Sequence, residues 1–286
     1  MTYEHHTLSE ATTRLKPTRQ PHWLHAFAPS VVVVGSVLVA SLTVPTATSA
    51  QIWRSQEGRY RTPMRTGLPK YTSSFMFCRL WYDATRSMRS GLGWSTDYPA
   101  ADNNFMTRFE ELTPTYIEHW ENGDPGIAAV RATDPDIFRC PFLFMTDPGS
   151  VTFSGAEIEG LRDYLLKGGF LILDDFEANQ WYNMDAQLLR ALPEREWVEL
   201  DDTHSIFGTF FYVEDIYVPH PLVDVEPRYM SIFEDNDPRK RVMVLANHNS
   251  DLAEYWEWSA SGLFAVDPTN DAYRLGVNYI IYALTH

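Results

Sequence analysis

Several features that would identify a common class of protein are missing from this chain of 286 residues. Lysine and arginine are scarce, at 23 residues against 38 acidic ones, so the formal net charge is −15. A surface of that sign repels phosphate backbones, and no basic cluster offsets it, which excludes nucleic acid as a partner. There is no phosphate-binding glycine loop, because Gly91-Leu92-Gly93 lacks a third glycine and a strand-to-helix context.

Long apolar runs are also missing. The run Val31 to Leu42 has 12 residues, fewer than the roughly 20 that span a bilayer. It follows a mildly basic stretch and precedes small residues ending at Ala50, a pattern typical of a signal peptide. We therefore expect residues 1–50 to direct export to the periplasm or the medium, with cleavage after Ala50. If uncleaved, residues 31–42 would be an anchor and the protein's contact with the membrane.

Cysteine is nearly absent, since the chain contains only Cys78 and Cys140. In an oxidising compartment these two residues could form a disulfide. Each lies in an apolar, strand-like run, and two strand residues seldom have the Cα separation of ~4.4–6.8 Å and the Cβ directions that a disulfide needs. We expect two separate buried thiols.

The most organised stretch of the chain is Pro141 to Phe176. Two apolar runs, Phe142–Met145 and Phe170–Leu173, have the continuous hydrophobicity of parallel strands that are covered on both faces. Between them Ser154 and Glu157 stand in the relation of a capping box, which marks the start of a helix. The stretch therefore predicts a strand, a helix and a second, parallel strand.

Apolar periodicity and turn signals predict the remaining elements, and residues 51–72 read as a linker. Alternating strands and helices indicate one α/β domain over residues 73–286, a three-layer α/β/α sandwich with a mainly parallel sheet.

Arg79, inside the first strand, needs an acidic partner, or else a position at a sheet edge from which its guanidinium group reaches solvent. Further strands are predicted at 75–82, 127–133, 196–200, 229–233 and 241–245, and helices at 100–112, 181–192, 251–259 and 267–285, the last with Asp267 as N-cap.

Ligands of open parallel sheets bind beyond the carboxyl ends of the strands. Asp174 and Asp175 end the second apolar run, and His204 stands beside Asp202 and Thr203, which can orient its imidazole. We take Asp174, Asp175 and His204 as candidate catalytic groups, whereas His119, His220 and His286 look like surface residues. Other polar and aromatic side chains at strand ends form a candidate ligand-binding rim: Asp83, Arg86, Trp94, Asp97, Tyr98, Asp147, Glu177, Asn247 and His248.

Carboxylates gathered at one sheet edge raise each other's pKa unless a cation lies among them. A divalent metal could supply that charge, or Arg79, Arg86 and Arg162 could. Oxygen-rich ligands favour Mg²⁺, Ca²⁺ or Mn²⁺, and no H-E-x-x-H motif or Cys/His spacing points to zinc. We assign no metal to this site. Asp174 and Asp175 are the candidate ligands for one. The alternative for Asp175 is a helix cap with a solvated charge.

Several segments together resemble the bacterial family known as domain of unknown function 4159. The resemblance covers nearly all of the chain after the linker. The matching segments are Arg79–Tyr82, Trp94–Pro99, Arg108–Thr113, Pro141–Met145, Leu161–Asp175, His204–Phe207 and Arg274–Asn278.

The resemblance implies an exported or membrane-tethered protein with a flavodoxin-like fold similar to class I glutamine amidotransferases. Those enzymes carry a nucleophilic cysteine on a sharp elbow after a strand. Here the equivalent place reads Leu173 to Phe176 and contains no Cys or Ser, so we exclude glutamine hydrolysis.

Three functions remain open. One is a non-catalytic exported module that binds a ligand or an envelope protein. Another is a metal-assisted hydrolase of a carbohydrate or cell-envelope substrate that uses Asp174, Asp175 and His204. The third is a purely structural subunit of a membrane-associated assembly.

Overall fold

The computed structural model describes residue 68, residues 74–84 and residues 93–286. The expected export signal, most of the expected linker and Arg86 lie outside these residues. Within the described residues the chain is a mixed α/β protein built around a large, mainly parallel sheet. No helix in this part of the chain is both long and apolar enough to cross a bilayer.

The central sheet has seven strands in the order β3-β1-β4-β6-β9-β8-β7. The first five of these run parallel, and β8 and β7 are added antiparallel at one edge. Two short strands, β2 and β5, pair separately and antiparallel. The strands are β1 (Phe77–Leu80), β2 (Asp83–Ala84), β3 (Ile127–Val130), β4 (Phe142–Thr146), β5 (Val151–Thr152), β6 (Phe170–Phe176), β7 (Val198–Leu200), β8 (Arg228–Phe233) and β9 (Val242–His248).

Five α-helices accompany the sheet in the described residues. The last one begins one residue before Asp267, with Ala265 as its N-cap, so the prediction that Asp267 caps it was wrong. Asp267 lies in the first turn, where its charge still suits the helix dipole. The helices are α1 (Ala100–Leu112), α2 (Gly155–Leu166), α3 (Gln180–Ala191), α4 (Leu252–Trp258) and α5 (Val266–Thr285).

The predicted strand–helix–strand unit is confirmed. Strands β4 and β6 pair in parallel, from Phe142 opposite Phe170 to Thr146 opposite Asp174. Helix α2 connects them, and its capping box is complete: Ser154 Oγ accepts from Glu157 N at 3.3 Å, and Glu157 accepts from Ser154 N at 2.9 Å. The acidic ends of these strands therefore emerge at one edge, as the sequence predicted.

Side chains of the sheet alternate between two hydrophobic clusters. In β4, Phe142 and Phe144 belong to one cluster and Leu143 and Met145 to the other. Helices α1, α4 and α5 contribute to the first cluster, and α2 and α3 to the second. The strands are thus buried on both faces, which explains their unbroken apolar sequences.

Arg79 lies in β1, between β3 and β4, and is almost fully buried. Its Nη2 atom is 3.1 Å from Asp102 Oδ1, in the first turn of α1. The expectation of an acidic partner is confirmed, and the alternative position at a sheet edge is wrong. Arg79 also donates to the carbonyl of Thr96 at 2.6 Å and to Thr146 Oγ1 at 2.9 Å, so its charge anchors the carboxyl end of β1 to α1.

The two cysteines form a disulfide, so the expectation of separate thiols was wrong. Cys140 is not in a strand: it follows the short 3₁₀ helix Pro135–Arg139 and precedes β4. That turn brings its Cα atom within 5.9 Å of the Cα of Cys78 in β1, inside the range that a disulfide requires. The bridge ties β1 to the turn that leads into its neighbour β4.

Candidate functional site

The carboxyl ends of the parallel strands carry an unusual number of left-handed residues. The φ angle is 60° at Asp97, 48° at Asp147, 60° at Asp175, 48° at Ala178 and 62° at Asn249. Non-glycine residues adopt this conformation at an energetic cost, and such residues concentrate at functional sites where the surrounding structure imposes them. The clustering marks this sheet edge, rather than the opposite one, as the candidate site.

Asp174 is fully buried at the end of β6, where it holds the start of α4. Its Oδ2 atom accepts hydrogen bonds from the backbone amides of Leu252 and Ala253 at 2.9 and 3.0 Å, and Oδ1 accepts from Asn247 Nδ2 at 2.8 Å. Burial raises the pKa of Asp174 to about 7, although the three hydrogen bonds oppose that rise. These contacts occupy the carboxylate, and its role is to position α4.

The acidic core consists of Asp97, Asp175, Asp251, Glu254 and Glu257. Within it, oxygens of Asp97, Glu254 and Glu257 lie within 4.8 Å of one another. Asp97 is 7% exposed. Both of its oxygens are buried, and no amide, hydroxyl or guanidinium group among the described residues donates to them. A buried carboxylate without such donors is costly unless a proton or another cation neutralises it.

Asp175 and Asp251 meet His220 at the second part of the acidic core. One ligand atom from each of these residues lies within 4.8 Å of those of the other two. His220 is only 8% exposed, so the expectation that it is a surface residue was wrong. The reason is that the segment around it folds over the sheet edge, with the carbonyl of Pro219 accepting a hydrogen bond from Tyr255 Oη at 2.9 Å.

The protonation of His220 is determined by its surroundings. Burial lowers its pKa to about 4, so the ring is neutral at pH 7. Its Nδ1 atom accepts a hydrogen bond from Leu222 N at 3.2 Å, which places the single ring proton on Nε2. His220 therefore has no lone pair free for a metal in this tautomer, and the remaining ligands of this group would be the carboxylates of Asp175 and Asp251.

The acidic core titrates far above the ordinary range of carboxyl groups. Burial raises the pKa of Asp97 to about 6, against the nearby charge of Arg79. Burial and the charge of Asp97 raise the pKa of Glu254 to about 9 and that of Glu257 to about 8. The pKa values of Asp175 and Asp251 rise well above the ordinary range, through burial and repulsion by neighbouring carboxylates. Five carboxyl groups thus share a space that disfavours their charges.

Arginine does not neutralise this core in the described residues. Arg79 is already paired with Asp102. Arg162, which was expected to contribute, instead donates to the carbonyl of Ala191 at the end of α3, at 2.6 Å. Arg86 lies outside the described residues. Of the three arginines that were expected to neutralise the carboxylates, only Arg79 can still do so, and its charge is shared with Asp102.

Some expected rim residues lie beside the acidic core. Asp147 is buried, and burial raises its pKa to about 7. Trp94 packs against Tyr98 with ring centroids 5.4 Å apart, and Tyr98 lies 5.7 Å from the guanidinium of Arg79. Asn247 is fully buried against Asp174. These residues form the walls around the core.

Other expected rim residues lie to the side. Asp83, in β2, is exposed and pairs with Arg131 at 2.9 Å. Glu177 lies in the turn after β6. His248 is the last residue of β9, and its Nε2 atom is 3.2 Å from the carbonyl oxygen of Ala178. His248 also borders a separate small cavity on the same sheet edge.

His204 lies at the opposite edge of the sheet, which corrects the expectation that it joins Asp174 and Asp175. Its ring packs 5.7 Å from that of Phe233, and Phe233 pairs with Val242 at the amino end of β9. Its Nδ1 atom accepts from Ile206 N at 3.3 Å and so caps a 3₁₀ helix. A hydrolytic centre that requires these three groups together is not formed in this structure.

Sequence reasoning missed Asp251, Glu254, Glu257 and His220. The predicted helix at 251–259 contained the first three, and their spacing of three residues places them on one face of a helix. That signal alone does not separate a solvated face from a site. For His220, flanked by Pro219 and Pro221, the sequence carries no comparable signal.

Comparison with known proteins supports the family assignment. Residues 77–284 match the family model described as a domain of unknown function (DUF4159). No curated protein matches this chain significantly. The match covers the whole sheet and the residues that form its acidic edge, and on this evidence the chain belongs to the DUF4159 family.

Proposed function

We propose that this domain is a non-catalytic ligand-binding module whose site contains a divalent cation held by Asp97, Glu254 and Glu257. The observation that carries this proposal is the convergence of three carboxyl groups in which Asp97, 7% exposed, receives no hydrogen bond from an amide, hydroxyl or guanidinium group among the described residues. Its remaining partner is the carboxyl group of Glu254, which shares a proton with it. A cation at this position would supply the missing partner and neutralise the mutual repulsion.

An all-oxygen set of ligands suits calcium, and the spacing of the carboxylates is compatible with that ion. Two oxygens bound to one Ca²⁺ ion at about 2.3–2.6 Å can be at most about 5 Å apart, and those of Asp97, Glu254 and Glu257 fall within 4.8 Å. Two oxygens bound to one Mg²⁺ ion at about 2.0–2.1 Å must be closer, and Mg²⁺ also demands a stricter geometry. Three carboxylates leave coordination positions for water or for the oxygens of a ligand.

The cysteines support a module of this kind in an exported protein. Both are held in the disulfide, so neither offers a thiolate for glutamine hydrolysis. Disulfides are typical of oxidising compartments, which supports the proposed periplasmic or secreted location. Two core clusters divided by the sheet support the proposed three-layer, amidotransferase-like architecture.

Metal content and binding of the purified full-length chain test the proposal. After chelation and dialysis, calorimetric titration at pH 7.5 with Ca²⁺, Mg²⁺ and Mn²⁺ is expected to give saturable binding of one ion, tightest for Ca²⁺. Asp97→Asn and Glu257→Gln are expected to weaken binding at least tenfold. Glu159→Gln, on the exposed face of α2, is the matched control and should bind as the parent does.

Two results would overturn the proposal. One is the absence of saturable binding for all three ions, with no ion found by elemental analysis of the protein as purified. The other is unchanged affinity in both Asp97→Asn and Glu257→Gln, because a cation held elsewhere on this acidic surface would bind both variants as tightly as the parent. Circular dichroism of each variant separates lost binding from lost folding.

A further inference from the structure

A small cavity lies at the carboxyl edge of the sheet, apart from the acidic core. It has a volume of about 160 Å³, and its walls come from Ala178, Trp181, Tyr182, Arg228, Met230 and His248. Pockets for drug-sized ligands measure about 300–1,000 Å³. This cavity therefore fits one small ring, with the rest of a larger ligand remaining in solvent.

The backbone around the cavity is held rigidly by two interlocked turns. Ala178 and Asn249 are both left-handed, and Ala178 N donates to Asn249 Oδ1 at 2.9 Å. Asn249 N donates to the carbonyl of Phe176 at 2.9 Å, and its side-chain amide donates to the carbonyl of Glu226 at 2.9 Å. Left-handed non-glycine residues are strained and persist only where the surrounding structure imposes them. The cavity is therefore preformed.

One side of the cavity is aromatic. Tyr182 is 74% exposed, so most of its ring is accessible to solvent. Trp181 beside it is half-buried and is fixed by Trp197 and Phe176, with ring centroids 5.0 and 6.2 Å away. Together they offer an apolar surface that is held in place by the protein core.

The other side is polar and suited to hydroxyl groups. Arg228 lines this side of the cavity, and Glu199, which lies outside the cavity walls, holds its guanidinium through two hydrogen bonds of 2.9 and 2.7 Å. His248 Nε2 lies 3.2 Å from the carbonyl of Ala178 and so carries the ring proton, which leaves Nδ1 as an acceptor. That Nδ1 atom is buried and has no partner in the described part of the chain.

We propose that this cavity binds one saccharide ring, with the C–H face of the sugar on Tyr182 and Trp181 and its hydroxyls on Arg228 and His248. A hydroxyl can donate to His248 Nδ1 and also accept from the guanidinium, which neither an apolar side chain nor a carboxylate can do. An anionic ligand would meet Glu199 and a chain of net charge −15. This inference does not depend on the proposed cation.

Saturation-transfer-difference NMR and calorimetry of the full-length chain test the proposal. The probes are glucose, galactose, N-acetylglucosamine and its β-1,4-linked disaccharide. We expect saturable binding of at least one of these sugars. Affinity should fall at least tenfold in both Tyr182→Ala and Arg228→Gln. Tyr116→Ala removes another exposed ring, 88% accessible, from a loop after α1 and should leave the affinity unchanged.

The proposal is overturned if none of the four sugars binds saturably, or if either Tyr182→Ala or Arg228→Gln keeps the parent's affinity. Both side chains are substantially exposed, so neither substitution should unfold the chain, and circular dichroism checks this. An equal loss of affinity in Tyr116→Ala would also overturn it, since the sugar would then bind exposed rings without regard to the cavity.

Discussion

The carboxylate of Asp174 accepts a hydrogen bond from the side-chain amide of Asn247 at 2.8 Å, between the neighbouring strands β6 and β9. From the sequence, Asp174→Asn is expected to alter binding more than stability. The structure gives a reason to predict the opposite, because the carboxylate also accepts hydrogen bonds from the amides of Leu252 and Ala253 at the start of α4. An asparagine would turn an N–H group toward one of these donors. We predict a loss of about 1–3 kcal/mol in the free energy of unfolding, measured in urea.

Asp175→Asn is the matched comparison. Asp175 adjoins Asp174 and titrates well above the ordinary range because of burial and the neighbouring carboxylates. Asparagine does not ionise, so replacing Asp175 removes the cost of keeping a carboxyl group in this buried, acidic surrounding, and we expect an unchanged or increased free energy of unfolding. A larger loss for Asp175→Asn than for Asp174→Asn would contradict the roles assigned here.

The pKa values predict an unusual dependence of stability on pH. A carboxyl group with a raised pKa in the folded state stays protonated there while the unfolded chain ionises, so stability falls as pH rises through that interval. Asp97 and Asp147 have pKa values of about 6 and 7, and Glu257 and Glu254 of about 8 and 9. For the chelated protein we predict a free energy of unfolding that decreases between about pH 4 and pH 9.

Urea unfolding at closely spaced pH values tests this prediction. Saturating Ca²⁺ should reduce the decrease above pH 6, because the ion stabilises the ionised carboxylates. A stability that rises steadily across the same range in chelator would show that these groups are ionised and compensated in the folded protein.

The disulfide should contribute substantially to stability. Cys78 and Cys140 are separated by 62 positions, and closing a loop of that length in the unfolded chain corresponds to about 4 kcal/mol. We predict that Cys78→Ala/Cys140→Ala loses stability of that order and that its urea midpoint no longer responds to reductant. A parent protein whose midpoint is equally insensitive to reductant would argue against the bridge.

The pair of Arg79 and Asp102 is buried and should be costly to break. Arg79→Met leaves the carboxylate of Asp102 without its cation, so we predict a loss of about 3–5 kcal/mol. Adding Asp102→Leu should restore part of that loss. The recovery is incomplete because Arg79 also binds the carbonyl of Thr96. A double-mutant cycle in urea measures both effects, and additive losses would mean that the two charges do not interact.

The capping box of α2 gives a smaller, local prediction. Ser154→Ala removes the oxygen that accepts from Glu157 N, and we expect a loss of about 1 kcal/mol. Thr107→Ala, on the exposed face of α1, should change stability by less than about 0.5 kcal/mol. Equal effects of the two substitutions in urea would place the start of α2 elsewhere.

Local patterns in the sequence determined most of the secondary structure, the parallel pairing of β4 with β6, the partner type of Arg79 and the edge at which a ligand site should lie. These follow from periodicity, caps and burial, which act over a few residues or one crossover. Tertiary structure alone decided that Cys78 meets Cys140, that His204 lies at the sheet edge opposite Asp174 and Asp175, and that His220 lies beside Asp175 and Asp251. Such contacts join segments that are far apart in the chain, and their distances depend on how the loops fold over the sheet, for which no local pattern exists.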